Sequence, residues 1–394
     1  MEKRTYKNTD AAISLLGFGC MRFPMLEPDG REIDCALVER LVDHAFAHGV
    51  NYFDTAYSYN EGKSEECIGR ILKNYPRESV YLADKMPGRR IKEFADGVRM
   101  FKEQLRRCGT EYFDFYLCHA IGRTETDFTE PYERIDFMRH LLELKKDGVI
   151  RRLGFSFHGT PSRLAFLLDR HDWDFVQLQL NYVDWEVQDA RRSYEMLERR
   201  GIPCVVMEPV RGGSLSTLCP EAVDILKAAR PDRSPASWAI RYAASLPGVL
   251  TVLSGMNSFE QVKDNIATLT GFTPLGDEER AVLAQARDAY MRTGVIPCTG
   301  CGYCLPCPAG VDIPRVFALY NDRAATLGLP VSTSGHYKFD KNSRAFLQAY
   351  HSLPEAIRAD NCVDCGHCRE LCPQELPVSG HLRNIAKLIE ALSS

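Results

Sequence analysis

Short apolar runs, rich in β-branched and aromatic residues, alternate with amphipathic stretches along the first two-thirds of the chain. The runs lie near Leu15 to Met21, Tyr52 to Ala56, Val80 to Lys85, Phe113 to His119, Arg152 to Phe157, Phe175 to Asn181, Cys204 to Pro209 and Leu250 to Gly255. Each is short enough for a buried strand, and the stretches between them repeat apolar residues at helical spacing. In CALVERLVDHAFAHG, for example, Leu37, Leu41, Val42 and Ala45 recur before a glycine stop. RIDFMRHLLELKKDG ends on Lys145, Lys146 and Gly148, a basic last turn followed by a helix stop. Eight strand-then-helix units predict an α/β fold, a closed (β/α)8 TIM barrel.

The pattern changes after about residue 275. A helical segment beginning GDEERAVLAQARDAYMR leads to two cysteine runs, CTGCGYCLPCP and CVDCGHCRELCP, separated by a 54-residue, largely helical span over 308–361. The expected organisation is a barrel over 1–275 and a small, mainly helical, ferredoxin-like module over 276–394. Tyr320 to Pro330 and Val331 to Tyr337 read as polar, glycine-containing connections.

The second run, Cys362, Cys365, Cys368 and Cys372, has the C-x2-C-x2-C-x3-C-P spacing of bacterial ferredoxins, whose fourth cysteine binds the other cluster. The first, Cys298, Cys301, Cys304 and Cys307, ends in x2 instead. Three closely spaced thiolates on one turning loop reach three irons of a cube, and the fourth must come from elsewhere. Two [4Fe-4S] clusters are therefore expected: one on Cys298, Cys301, Cys304 and Cys372, the other on Cys362, Cys365, Cys368 and Cys307. A four-cysteine zinc site or a disulfide framework is the alternative. Seven further cysteines (20, 35, 67, 108, 118, 204 and 219) sit among apolar neighbours. They read as small buried residues, and as free thiols they point to a reducing, cytoplasmic setting.

Charge narrows the partners. With 49 basic and 53 acidic residues, a net charge of −4 points to neither nucleic acid nor an anionic membrane. No apolar stretch is long enough for a membrane span, and the N-terminus lacks the apolar core of a signal peptide.

In a barrel of this kind chemistry belongs at the C-terminal ends of the strands. The second strand runs into DTAYSYNEGKSEECIG, placing Asp54 at its end and Tyr59 on the following loop. The third ends at Lys85 and the fourth at His119. Singly, Tyr59 is also what a surface loop carries, Asp54 and Lys85 also make a structural ion pair, and His119 also serves as a core histidine. Together at three successive strand ends they form a proton-handling set. A phenol has an unperturbed pKa near 10, so donating its proton at neutral pH requires stabilisation of the phenolate. Lys85 is suited to that, with Asp54 holding the ammonium in place and His119 binding a substrate oxygen.

These residues, in this order and approximate spacing, resemble the catalytic tetrad of the aldo-keto reductase family. The likeness extends over about residues 10–272, and the cysteine module is similar to that of a recurrent variant of the family. The resemblance implies an NAD(P)H-dependent reductase of aldehydes or ketones, NADP or NAD being the cofactor. It also implies that Ser156 and Gln177 bind the nicotinamide carboxamide and that Gln261 and Asn265 face the adenosine end. Phe157 stands where the family usually has Asn, and Met207 stands in place of a stacking aromatic. Arg211 and Gly212 in loop seven and Gly255 and Asn257 in loop eight offer backbone amides to a pyrophosphate. Loop eight has no basic residue to select a 2′-phosphate. The departures leave room for another cofactor, and no flavin motif is present. An alternative function is an electron-transfer or redox-regulatory protein, with the barrel as a cofactor-binding scaffold and a protein as electron partner.

Overall fold

The computed structural model describes residues 1–7, 9–27, 30–326, 332–333, 336–337 and 341–393. Its eight parallel strands are β1 (Leu16–Gly19), β2 (Tyr52–Asp54), β3 (Tyr81–Met86), β4 (Phe115–Ile121), β5 (Leu153–Phe157), β6 (Phe175–Gln179), β7 (Cys204–Met207) and β8 (Val249–Ser254). They close into a barrel in which β8 pairs with β1, Val252 opposite Leu16. The strands are almost wholly buried, as parallel strands covered on both faces must be. All eight strands expected from the apolar runs are present.

Helices flank the barrel because their apolar positions recur on one side. In Phe94–Cys108 the buried residues are Gly97, Met100, Phe101, Gln104 and Cys108, a helical stripe. A capping box of Glu93 and Asp96 starts this helix, and Gly109, in the left-handed region, ends it.

The N-terminal end of the barrel is plugged. Lys3–Thr5 and Ala12–Ser14 form an antiparallel hairpin that the apolar pattern did not announce, because its strands are three residues long with mixed polarity. Tyr6 and Ile13 pack with Tyr52, Phe115, Phe175, Leu250 and Leu253. The Phe115 ring meets those of Tyr6, Tyr52 and Phe175 edge-on, at centroid distances of 6.1, 5.0 and 4.9 Å. Arg4 donates to the Leu246 carbonyl at 2.9 Å and also reaches the carbonyls of Ala244 and Val249. Ser14 and Asn51 exchange two hydrogen bonds, at 2.8 and 3.0 Å.

One expectation for the scattered cysteines is corrected. Cys35 and Cys67, on neighbouring barrel helices, are paired as a disulfide with Cα atoms 6.0 Å apart. The barrel brings together residues that the sequence keeps 32 positions apart. Cys20, Cys108, Cys118, Cys204 and Cys219 are buried and in no disulfide.

The chain forms two compact units, Met1–Pro209 with Ser237–Leu275, and Val210–Ala236 with Gly276–Ser394. The second therefore includes a stretch between the last two barrel strands. Its helix Pro220–Ala229 packs on Asp277–Met291, with Arg292–Glu221 and Arg230–Glu279 ion pairs at 2.7 and 3.2 Å. Helices Ile313–Thr326, Lys341–His351 and Val378–Ser393 share an apolar core that includes Val316, Phe317, Phe346, Tyr350, Leu382 and Ile385.

The connection expected to begin at Tyr320 is helical as far as Thr326. Its polar residues occupy the outer face of a continuing helix, and Asn321 is used rather than solvated. The Asn321 side chain exchanges two 2.7 Å hydrogen bonds with the backbone of Ile296, just before the first cysteine run. Of Val331 to Tyr337, only the short antiparallel strands Ser332–Thr333 and His336–Tyr337 are described.

Because Phe115 joins the plug to three strands, Phe115→Ala should cost about 3–5 kcal/mol of unfolding free energy, measured by chemical denaturation of the full chain.

Candidate active site and cysteine centre

Strand register brings the site together. Asp54 ends β2 opposite Ala83 of β3, and Lys85 on β3 lies opposite Leu117 of β4, two residues before His119. Tyr59 follows on a tight turn, Tyr59–Gly62, that leads into the helix Lys63–Leu72.

The Lys85 ammonium is completely buried, and each of its three hydrogens has an acceptor. It donates to Asp54 Oδ1, to the Thr55 carbonyl at 2.7 Å and to the Tyr59 hydroxyl oxygen at 3.2 Å. Since the ammonium occupies a lone pair of that oxygen, the phenolic hydrogen points elsewhere. Burial holds the Tyr59 phenol well above its ordinary pKa, with the Asp54 charge adding to the effect. The Lys85 ammonium 3.2 Å away favours the phenolate, but burial outweighs it and the phenol keeps its proton. Burial also raises the Asp54 carboxyl, against the lowering effect of Lys85.

His119 stands edge-on to Tyr59, with ring centroids 5.9 Å apart. Burial, then the Lys85 charge, depresses its pKa well below the usual histidine range, so its imidazole is neutral. Sequence reasoning missed its support. The Tyr132 hydroxyl accepts from the His119 backbone amide at 3.3 Å and donates to the Met86 carbonyl at 2.7 Å, tying the ends of β3 and β4 together. Nothing in the sequence around Tyr132, a residue remote from either strand, marked that contact.

Ser156 and Gln177 are buried register partners on β5 and β6. Ser156 Oγ accepts from the Ala120 amide at 2.8 Å. Gln177 Nε2 contacts Met207 Sδ at 3.5 Å, and Gln177 Oε1 is buried without a hydrogen-bond partner among the described residues. An orphaned amide oxygen beside a strand end fits the amide of a bound carboxamide. Phe157 is buried on the same strand as Ser156.

In loop eight Gly255 and Asn257 are exposed. Gln261 Oε1 accepts from the Asn257 amide at 2.8 Å, and Asn265 Nδ2 donates to Ser254 Oγ at 3.0 Å. These residues gather at the N-terminus of the helix Phe259–Leu269. Arg211 and Gly212 belong to the second unit. Arg211 is buried there, and a side chain at Gly212 would collide with the Thr299 carbonyl, 2.0 Å from its Cβ.

A model of the aldo/keto reductase family matches residues 15–288. The chain belongs to that family. As an aldo-keto reductase it is an oxidoreductase, and the structure gives it the barrel architecture. The uncharacterized oxidoreductase YqkF of Bacillus subtilis is 29% identical over 325 residues, which is 74% of this chain and 98% of the relative. Among solved structures, an aldo-keto reductase from Bacillus halodurans in its holo form is 30% identical, with a TM-score of 0.59 over 73% of this chain and 96% of the other. One from Klebsiella pneumoniae in complex with NADPH shares the fold at 23% identity and a TM-score of 0.59, covering 74% of this chain and 96% of its own.

A second model, a 4Fe-4S dicluster domain, matches residues 297–376 of this reductase. Cys304 and Cys307 of the first run join Cys362, Cys365 and Cys368 of the second around one cavity, which Ile313 and Leu382 also line. Cys298 and Cys304 each lie within electrostatic reach of Cys301 and of Cys372. Burial, with those neighbouring sulfurs, pushes the Cys298 thiol up to about 11 and the Cys304 thiol up to about 12. Crowded, desolvated thiols suit a cationic iron core that draws their protons off.

Removing Lys85 should expose how much the fold relies on it. Lys85→Met strands the Asp54 carboxylate and should cost about 3–5 kcal/mol, while Lys85→Met with Asp54→Leu should recover most of that loss in a double-mutant cycle by denaturation.

Proposed function

We propose that this reductase uses NAD(P)H to reduce an aldehyde or ketone at the barrel mouth, with Tyr59 as proton donor. The observation that carries the reading is the Lys85 ammonium donating to Tyr59 Oη, which leaves the phenolic hydrogen available to a substrate oxygen. Bound nicotinamide would supply the hydride. As negative charge develops on the substrate oxygen, Tyr59 gives up its proton and the adjacent ammonium stabilises the phenolate that results. Asp54 keeps that ammonium charged and aimed, and neutral His119 donates a hydrogen bond to the same oxygen. Ser156, Gln177 and Met207 are assigned to the nicotinamide, Gly255 and Asn257 to the pyrophosphate, and Gln261 and Asn265 to the adenosine end.

We assign two [4Fe-4S] clusters to the crossed quartets, Cys298, Cys301, Cys304 and Cys372, and Cys362, Cys365, Cys368 and Cys307. Such clusters supply one-electron transfer. Cys365 is exposed, which supports electron exchange with a protein partner at that centre. Cytoplasmic residence agrees with the five buried free thiols, and among the described residues no helix is long and apolar enough to cross a membrane.

Tyr59→Phe should lower NADPH-dependent carbonyl reduction by about 10²- to 10⁴-fold, with NADPH affinity and iron content unchanged. Undiminished turnover in that variant would refute the assignment. In anaerobically purified protein, Cys372→Ser and Cys307→Ser should each lower iron from about eight to about four per chain. Their low-temperature spectra should then each retain a different centre.

A further inference from the structure

Behind Lys85 lies a polar cluster that the proposed reaction does not use. Asp84 and Glu65 are both fully buried. Ligand atoms of Asp84, Glu65 and Cys108 all fall within 4.8 Å of one another. Three of the four carboxylate oxygens have donors. Asp84 Oδ1 accepts from the Lys85 amide at 2.8 Å, and Asp84 Oδ2 accepts from the Cys108 thiol at 3.7 Å. Glu65 Oε2 accepts from Arg107 at 2.8 Å. The fourth, Glu65 Oε1, is buried with no hydrogen-bond partner among the described residues, and the Gln104 amide lies beside the same carboxyl.

Two carboxylates cannot both be ionised at this range in the absence of water. We propose that Glu65 and Asp84 share one proton, bound between Glu65 Oε1 and Asp84, and that this bond holds the Tyr59 turn against the strand that carries Lys85. The path is short. Glu65 is in the helix that follows Tyr59–Gly62, and Asp84 binds the backbone of Lys85, whose carbonyl also accepts from Gln104 at 3.1 Å. Glu65 and Asp84 are positioning residues, since they touch neither substrate nor the reacting atoms.

A divalent ion is the competing occupant. It would have to sit beside the Arg107 guanidinium, which binds Glu65 at 2.8 Å and the more exposed Glu103 at 2.7 Å, whereas one proton on the buried carboxyl pair leaves a single negative charge there facing that guanidinium. Other titratable groups facing the pair are Lys85, engaged by Asp54, and the thiols and phenols of Cys20, Cys108, Tyr116 and Tyr59, all held above their ordinary pKa values chiefly by burial. Burial raises both carboxyls as well, with the Glu65 charge adding to the shift of Asp84. A carboxyl whose pKa is higher folded than unfolded contributes stability at low pH that is lost as pH rises through the folded value.

The test compares the full-length protein with Asp84→Asn, whose amide donates to Glu65 without a titrating proton, and with Asp84→Thr, a hydroxyl donor, should the first variant fold poorly. Infrared spectra of the wild type should contain a deuterium-sensitive carbonyl band of a buried protonated carboxyl, absent from the variant. The fall in Tm as pH rises from about 4, where unfolded carboxyls ionise, should be shallower in the variant than in the wild type. A wild-type spectrum without that band, or equal pH slopes in both proteins, would overturn the shared proton. So would a stoichiometric non-iron metal that the substitution removes. None of these readouts depends on a nucleotide, a substrate or turnover, so the proposal stands or falls separately from the assigned reaction.

Discussion

An ammonium group with no access to water needs three acceptors placed in advance, and the upper half of this barrel is organised by that requirement. Lys85 has the Asp54 carboxylate, the Thr55 carbonyl and the Tyr59 oxygen. The first two come from the end of one strand and the residue after it, and the third from a turn that the same strand launches. To bring them to one point, β2 and β3 must pair with Asp54 beside Ala83, and the following helix must hold the turn down. Desolvation is costly for each partner alone and tolerable only for the set. The chemical arrangement and the local fold are therefore one constraint.

Much of this could be read from the sequence because strand ends in a parallel barrel converge whatever their separation along the chain. Asp54, Lys85 and His119 each close an apolar run, and the run marks the residue. Tyr59 follows from its distance to Asp54. The partners that hold these groups were not legible. Tyr132, Gln104 and the Glu65–Asp84 pair lie on helices or on a strand position that faces them, where side-chain direction is decided by packing that no period encodes. The N-terminal hairpin escaped for a related reason: three-residue strands give too few positions for alternation to emerge. At Tyr320 the polar composition suggested a connection, yet Asn321 spends its amide on the backbone of Ile296 while the helix continues.

The cysteine runs show the opposite balance. Spacing within a run specifies three neighbouring sulfurs, and the shape of a cube requires the fourth from a different direction. The helical core of the second unit, against which Cys298, Cys304, Cys307, Cys362 and Cys372 pack, sets cysteines of both runs on one apolar scaffold. Tyr350, buried in that core, donates to Asp360 at 2.9 Å and accepts from the Ala359 amide at 2.9 Å, fixing the approach to Cys362. The thiols are thus presented by a scaffold with its own apolar interior.

Closure of the barrel carries a consequence for how the chain folds. β1 has its outer neighbour in β8, and Arg4 finds its carbonyls at residues 244–249, so the first barrel strand is completed by the last. Contacts of such high sequence separation pay loop-closure entropy before they are rewarded, which slows folding. Until β8 arrives, the growing sheet has two open edges, each a template for pairing with another chain. The vulnerable interval for this protein is therefore the time between synthesis of β1 and of β8, when shielding of nascent edges by a chaperone matters most.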